Sequence, residues 1–266
     1  MTSRLAAVAR KAGLRRARVA AARARMERGL LAAVPRRRHA ATGRVLCYHG
    51  VGTPDWGIND MTPARFREQL EQARSWGFRF VPASRLAAGE GSPHDLAITF
   101  DDGLLSVAKH AAPILSELDI PWTLFVVADW ADGNHRFGQG VFMQWGDIQR
   151  LADTGVEIGS HSMSHPNFGR IAAAEARREL RESRRTIDHR IGIQTDSFAI
   201  PMGQSTDWSA CARMEAAAAG YRYVYAQSGD RRPEGTVSRT FIARSDATRV
   251  FKAALEGAFD QWEEWV

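Results

Sequence analysis

Two short stretches hold side chains whose types and spacing can do chemistry. Thr99-Phe100-Asp101-Asp102-Gly103 sets two carboxylates side by side, and Ser160-His161-Ser162-Met163-Ser164-His165-Pro166 sets two imidazoles four residues apart. Adjacent carboxylates repel, so the first pair needs a metal, a cation or a proton beside it. Gly103 permits a sharp exit turn. Two histidines at this spacing share one face if the segment turns helically, and can then ligate one metal ion. Alone, each stretch is weak: Asp and Gly are common turn residues, and an HxxxH pair equally suits a helix-entry loop with two surface histidines. Together they are specific. One carboxylate with two imidazoles makes a facial three-ligand set with open positions for water and substrate. The other carboxylate is left free to act as a base, which completes the equipment for hydrolysis.

Both stretches stand at the ends of apolar runs that read as strands, residues 95–100 and 156–159. In parallel α/β barrels catalytic groups collect at such strand ends. Further strands are expected at 44–48, 78–81, 122–127, 197–200, 221–226 and 240–243. Helical patterns lie between them: 63–76, 104–118 interrupted by Pro113, 145–154, a charged helix over 172–190, 207–219 and 246–264. Strands alternating with helices predict a parallel sheet with helical crossovers. About seven such units suit a barrel better than a doubly wound sheet.

With these residues in place, the chain resembles the polysaccharide deacetylase family, also called the NodB-homology or carbohydrate esterase family four domain. Thr99 to Gly103 matches its TFDDG motif and His161 to His165 its HSxxH motif. Tyr48-His49-Gly50-Val51, Pro121 to Val127 and Trp145 to Ser160 also look like family members, so the likeness runs from about Arg44 to the C-terminus. The resemblance implies a distorted (β/α)7 barrel over residues 44–266, preceded by a basic helical or disordered leader and linker over 1–43. It implies a metal held by Asp102, His161 and His165, with Asp101 as general base. Zinc is the first choice of divalent ion, with cobalt, nickel or iron as alternatives. The implied reaction removes the acetyl group from an N-acetylated sugar in a polysaccharide, oligosaccharide or lipid-linked glycan. A metal-dependent amidase acting on a small non-sugar amide and an inactive glycan-binding barrel are the competing readings.

The third family motif, RPPYG or FAYPYG, reads here Phe198-Ala199-Ile200-Pro201-Met202-Gly203. Met202 replaces the tyrosine whose backbone N–H meets the developing oxyanion, a role open to any residue except proline. The arginine that pairs with the catalytic aspartate in the RPPYG form is replaced by Ala199, and Arg244, just past the expected last strand, is the candidate cation in its place. The late Leu-x-His that supplies an acid in many members is missing, since the last histidine is His189. His49, which ends the first strand, is the candidate acid. Pro201 and Trp145 are the candidate substrate-binding residues; Trp130 and Trp208 are further aromatic groups near the expected loops.

Charge is unevenly spread. Residues 1–40 hold twelve lysines and arginines against one acid, Glu27; that segment is +11 in a chain of +6, which leaves −5 on the remainder. A barrel that binds nucleic acid would carry positive charge on the fold itself, so no nucleic-acid partner is expected. The leader has no continuous apolar core of a secretory signal. It points to a cytoplasmic protein able to rest through residues 1–40 on the inner face of a membrane. Cys47 and Cys211 lie in no zinc-ligand spacing and read as incidental buried thiols.

Overall fold

The computed structural model describes residues 19, 21–34, 41–52, 59–227 and 233–262. The strands are β1 (Arg44–Tyr48), β2 (Gly50–Val51), β3 (Asp60–Met61), β4 (Arg79–Phe80), β5 (Asp95–Phe100), β6 (Trp122–Val126), β7 (Glu157–Ser160), β8 (Ser197–Ala199), β9 (Tyr223–Ala226) and β10 (Val237–Phe241). The helices are α1 (21–33), α2 (Pro63–Ser75), α3 (Ala83–Ala87), α4 (Ala112–Glu117), α5 (Ala128–Ala131), α6 (Trp145–Asp153), α7 (Ala173–Ile191), α8 (Ala210–Ala219) and α9 (Thr248–Leu255).

Hydrogen bonding follows the order β1-β10-β9-β8-β7-β6-β5, and β5 pairs back onto β1, so seven parallel strands close a barrel. The short β4 extends the start of β5. This is the parallel barrel expected from the strand–helix alternation, in the distorted (β/α)7 form that the family resemblance implies. Its strands are covered on both faces, which is why β5 reads as an unbroken apolar run rather than an alternating one.

Side-chain parity decides what faces the site. Leu46, Tyr48, Ile98, Phe100, Leu124 and Val126 point outward and join the large core under the helices. Val45, Ala97, Phe125, Ala199 and Tyr225 form a separate interior cluster. Gly159 is required inside: a Cβ there would come within 2.5 Å of the Phe125 ring. Asp101 continues the inward parity of Ala97 and Thr99, so the strand pattern itself aims its carboxylate into the barrel.

Three differences from the sequence expectation bear on the site. The last strand is Val237–Phe241 rather than 240–243, which brings Arg239 inside it. The helix expected over 104–118 is a π-helical turn, Val107–Ala111, followed by α4 with Pro113 at its start. Part of the leader is built onto the barrel. Arg28 of α1 is buried, its guanidinium pairing with Asp246 (Nε–Oδ1 2.8 Å), donating to the Phe241 carbonyl at 3.0 Å and lying 4.1 Å from the Phe259 ring centroid. Residues 1–18 of the leader and 35–40 of the linker lie outside the described residues.

Candidate active site

Asp101 and Asp102 leave β5, His161 leaves β7, the 200–203 turn leaves β8 and His49 leaves β1, so these groups meet where the parallel strands end. Asp101 is fully enclosed, and its carboxylate receives both terminal nitrogens of Arg239, at 2.6 Å to Oδ1 and 2.7 Å to Oδ2. Arg239 is itself buried, donates to Thr99 Oγ1 at 3.3 Å and lies 5.3 Å from the Phe125 ring centroid. The Cys47 thiol also points at Asp101 (Sγ–Oδ2 3.4 Å), so this cysteine lines the site. Burial pushes the Asp101 carboxyl up, but the Arg239 guanidinium, with help from His161 and His49, holds it well below the usual carboxylate range. Burial pushes the Cys47 thiol up, so it stays a neutral donor.

The cation expected at Arg244 is therefore a different residue. Arg244 is exposed, while Arg239 forms the bidentate pair. The last strand begins at Val237, ahead of its apolar stretch, and so carries Arg239 inside the barrel. The signal was present in Thr236-Val237-Ser238-Arg239-Thr240-Phe241, a β-branched and aromatic run of strand character.

Asp102, His161 and His165 form a second group. The Nε2 atoms of both histidines lie 3.6 Å from the same oxygen, Asp102 Oδ1, and the three ligand atoms fit within 4.8 Å of one another. A tetrahedral ion with bonds of about 2.0–2.1 Å spaces its ligands about 3.3 Å apart, so the triangle fits a single small cation. The donor set agrees. His161 Nδ1 stands 2.8 Å from the Ala199 carbonyl, which only accepts, so Nδ1 carries the proton and Nε2 turns its lone pair to the triangle. Burial lowers the His161 pKa to about 4, against the pull of Asp101 and Asp102, so the ring is neutral at physiological pH.

Left-handed backbone concentrates here. Of the described non-glycine residues with positive φ, Asp102 (73°), Ser162 (74°), His165 (62°) and Met202 (64°) belong to the site, and only Asp119 (50°) does not. Each such conformation costs about 1–3 kcal/mol and survives only where its surroundings impose it. For the histidine loop the imposing group is Glu179, fully buried in α7, which accepts from the Met163 and Ser164 backbone N–H groups at 3.0 and 2.9 Å and from Ser164 Oγ at 2.9 Å. Ser162 Oγ accepts from the His165 N–H at 2.8 Å. Sequence reasoning missed Glu179 because α7 is crowded with charged residues. Its clue was position: it lies on the buried stripe of Ala176, Leu180, Ser183, Ile187 and Ile191.

The remaining candidates fall in different places. Pro201 is buried, and Met202 follows it half-exposed at the rim; among the described residues its N–H donates to no backbone carbonyl. His49 is buried, with a ring nitrogen within 4.8 Å of the Asp101 carboxylate and Cys47 Sγ, and its Nδ1 has no hydrogen-bond partner among the described residues. Trp145 is engaged away from the ligands: it opens α6, donates to Asp132 at 2.8 Å and lies under Arg190. The tryptophan beside the site is Trp130, stacked on His165 with centroids 5.2 Å apart. Trp208 is core, packed on Phe168 and Phe198.

A closed parallel barrel whose mouth carries an Asp-His-His triangle beside an arginine-held carboxylate has the parts of a hydrolase barrel. A profile of the polysaccharide deacetylase family matches residues 88–224, and the chain belongs to that family. It is 29% identical over 110 residues to a chitooligosaccharide deacetylase of Sinorhizobium fredii, covering 41% of this chain and 44% of that protein. It is 22% identical over 166 residues to YxkH of Bacillus subtilis, covering 60% and 56%. The chain thus spans about half or less of the length of the curated relatives it matches. The structure of the Streptococcus pyogenes deacetylase PplD in complex with acetate shares the fold, with a TM-score of 0.70 at 16% identity over 81% of this chain and 98% of that one.

Proposed function

We propose that this protein is a metal-dependent hydrolase that removes N-acetyl groups from N-acetylated sugars and releases acetate. The observation that carries the reading is the division of labour between two adjacent aspartates. Asp102 faces two histidine nitrogens at 3.6 Å, while Asp101, 3.9 Å from His161 Nε2, is taken by the bidentate pair with Arg239. One carboxylate is thus committed to a cation and the other kept ionised beside it. Asp102, His161 and His165 would hold a divalent ion, zinc first, which would supply a Lewis acid for the acetyl carbonyl.

The chain's own groups do the rest. Asp101 accepts a proton from the attacking water, and Arg239 fixes the direction of its lone pairs. The Met202 N–H points its dipole at the oxygen that gains charge as the carbonyl carbon becomes tetrahedral. Expulsion of the amine requires a proton on nitrogen, and His49, with a ring nitrogen within 4.8 Å of the Asp101 carboxylate, is assigned its delivery. Met202 at the rim and half-buried Trp130, stacked on His165, stand where a sugar ring rests, while Pro201 is buried. The inactive-barrel reading draws on the missing arginine and the missing late histidine, and Arg239 supplies the first of these.

Acetate release from N-acetylglucosamine oligomers, compared with small linear and cyclic amides, tests the proposal. Turnover of the oligomers alone supports it, and turnover of the simple amides alone replaces it with an amidase.

A further inference from the structure

The leader helix carries a feature that the site does not use. The exposed large apolar residues Met26 and Leu30 of α1, with Val19 before them and Val34 just past the helix end, recur at spacings of seven, four and four, which follows one stripe of a helix. Each leaves between 49% and 67% of its surface in solvent. The opposite face of α1 is the one fixed to the barrel, through buried Arg28 and through Leu31 and Ala32, which pack on the main core. Exposed Arg23 lies on the same side as the stripe, paired with Glu27, and exposed Arg25 lies about a third of a turn from it. The helix lies in a segment of net +11 on a chain otherwise −5.

We propose that the outward face of α1 docks on an anionic lipid bilayer, and that the acetylated sugar taken by the mouth is one presented at that surface. A stripe of aliphatic side chains within a segment of net +11 matches the boundary between acyl chains and acidic headgroups. A phosphate backbone has no use for the apolar stripe, and pairing two copies through it would bring two strongly positive segments together. The location supplies the second half. Arg28 donates to the carbonyl of Phe241 at the C-terminal end of β10, and the Phe241 ring is 5.8 Å from the His49 ring. A bilayer held by α1 therefore lies beside the mouth. This second half rests on the deacetylase reading, whereas the docking half does not.

The test uses the full chain with vesicles of phosphatidylcholine alone and with added phosphatidylglycerol. The wild type is expected to sediment with the acidic vesicles, and the double substitution Met26→Ser with Leu30→Ser to weaken that binding about tenfold or more without changing the melting temperature. Equal binding by both proteins overturns the docking, as does a substitution that dissolves a dimer and leaves vesicle binding intact. Acetate release is then compared between soluble N-acetylglucosamine oligomers and the same sugar on a lipid anchor in acidic vesicles. A preference for the anchored sugar that disappears in the double variant supports the substrate class, and no preference in the wild type overturns it. Release from neither substrate, with vesicle binding intact, defeats the deacetylase reading and leaves the docking standing.

Discussion

Asp101 is asked to be both buried and charged, and the two nitrogens of Arg239 reconcile these demands. Lysine keeps the charge but not the fork. Arg239→Lys is therefore expected to lower turnover and to raise the pH at which activity half-develops, because a carboxyl with a weaker cation is harder to ionise. A pH–rate profile with an unmoved acid limb would contradict this role. Arg239→Met leaves Asp101 buried without its partner and is expected to destabilise the fold by about 3–5 kcal/mol in denaturant titrations. His49 is tested through the leaving group. His49→Gln should slow release of a sugar amine, which must be protonated, yet spare an aryl acetate, whose phenolate leaves unaided. Equal loss on both substrates would make His49 a positioning residue. At this scale Asp101, Asp102, His161 and His165 were legible because their order along the chain matches two motifs. Arg239 was not, because its partner lies 138 positions away and only barrel closure brings them together.

At the scale of elements, α7 shows how a helix serves a loop it does not contain. Glu179 replaces the missing backbone partners of Met163 and Ser164, and so holds a turn whose left-handed residues are Ser162 and His165. Glu179→Gln keeps the size and one acceptor for the two N–H groups, but puts a donor where Oε1 accepts from Ser164 Oγ and Arg178. It is expected to weaken metal affinity about 10–100-fold, measured by competition with a chelator. Unchanged affinity would mean that the loop keeps its shape by itself. The strand runs around Val45, Ile98, Leu124 and Ile158 were legible because they are apolar and bounded by turns. The shift of β10 toward the N-terminus was not, since Ser238 and Arg239 break the apolar pattern of a strand whose interior is partly polar. The charged surface of α7 similarly concealed the buried position of Glu179.

At the scale of the molecule, barrel closure and the docking of α1 are long-range outcomes, and charge counting along the leader gave no hint that Arg28 would pair with Asp246 inside the structure. Closure also sets an acid limit. His161 has a folded pKa lowered to about 4 by burial, while an unfolded histidine titrates near 6.5. A depressed folded pKa contributes stability that is present above the unfolded value and lost as pH falls toward the folded one. Metal-free protein is thus expected to lose melting temperature between about pH 6.5 and 4, and His161→Gln to flatten that slope. An equally steep slope in the variant would place the acid sensitivity elsewhere. The account as a whole stands on the separate duties of the two aspartates, and one paired measurement reaches it directly: bound metal and acetate release for the wild type, Asp102→Ala and Asp101→Asn. The wild type should hold one equivalent and release acetate, Asp102→Ala should lose both, and Asp101→Asn should keep its metal while turnover falls about 10²–10⁴-fold. Full metal occupancy in Asp102→Ala, or near-native acetate release by Asp101→Asn, would contradict it.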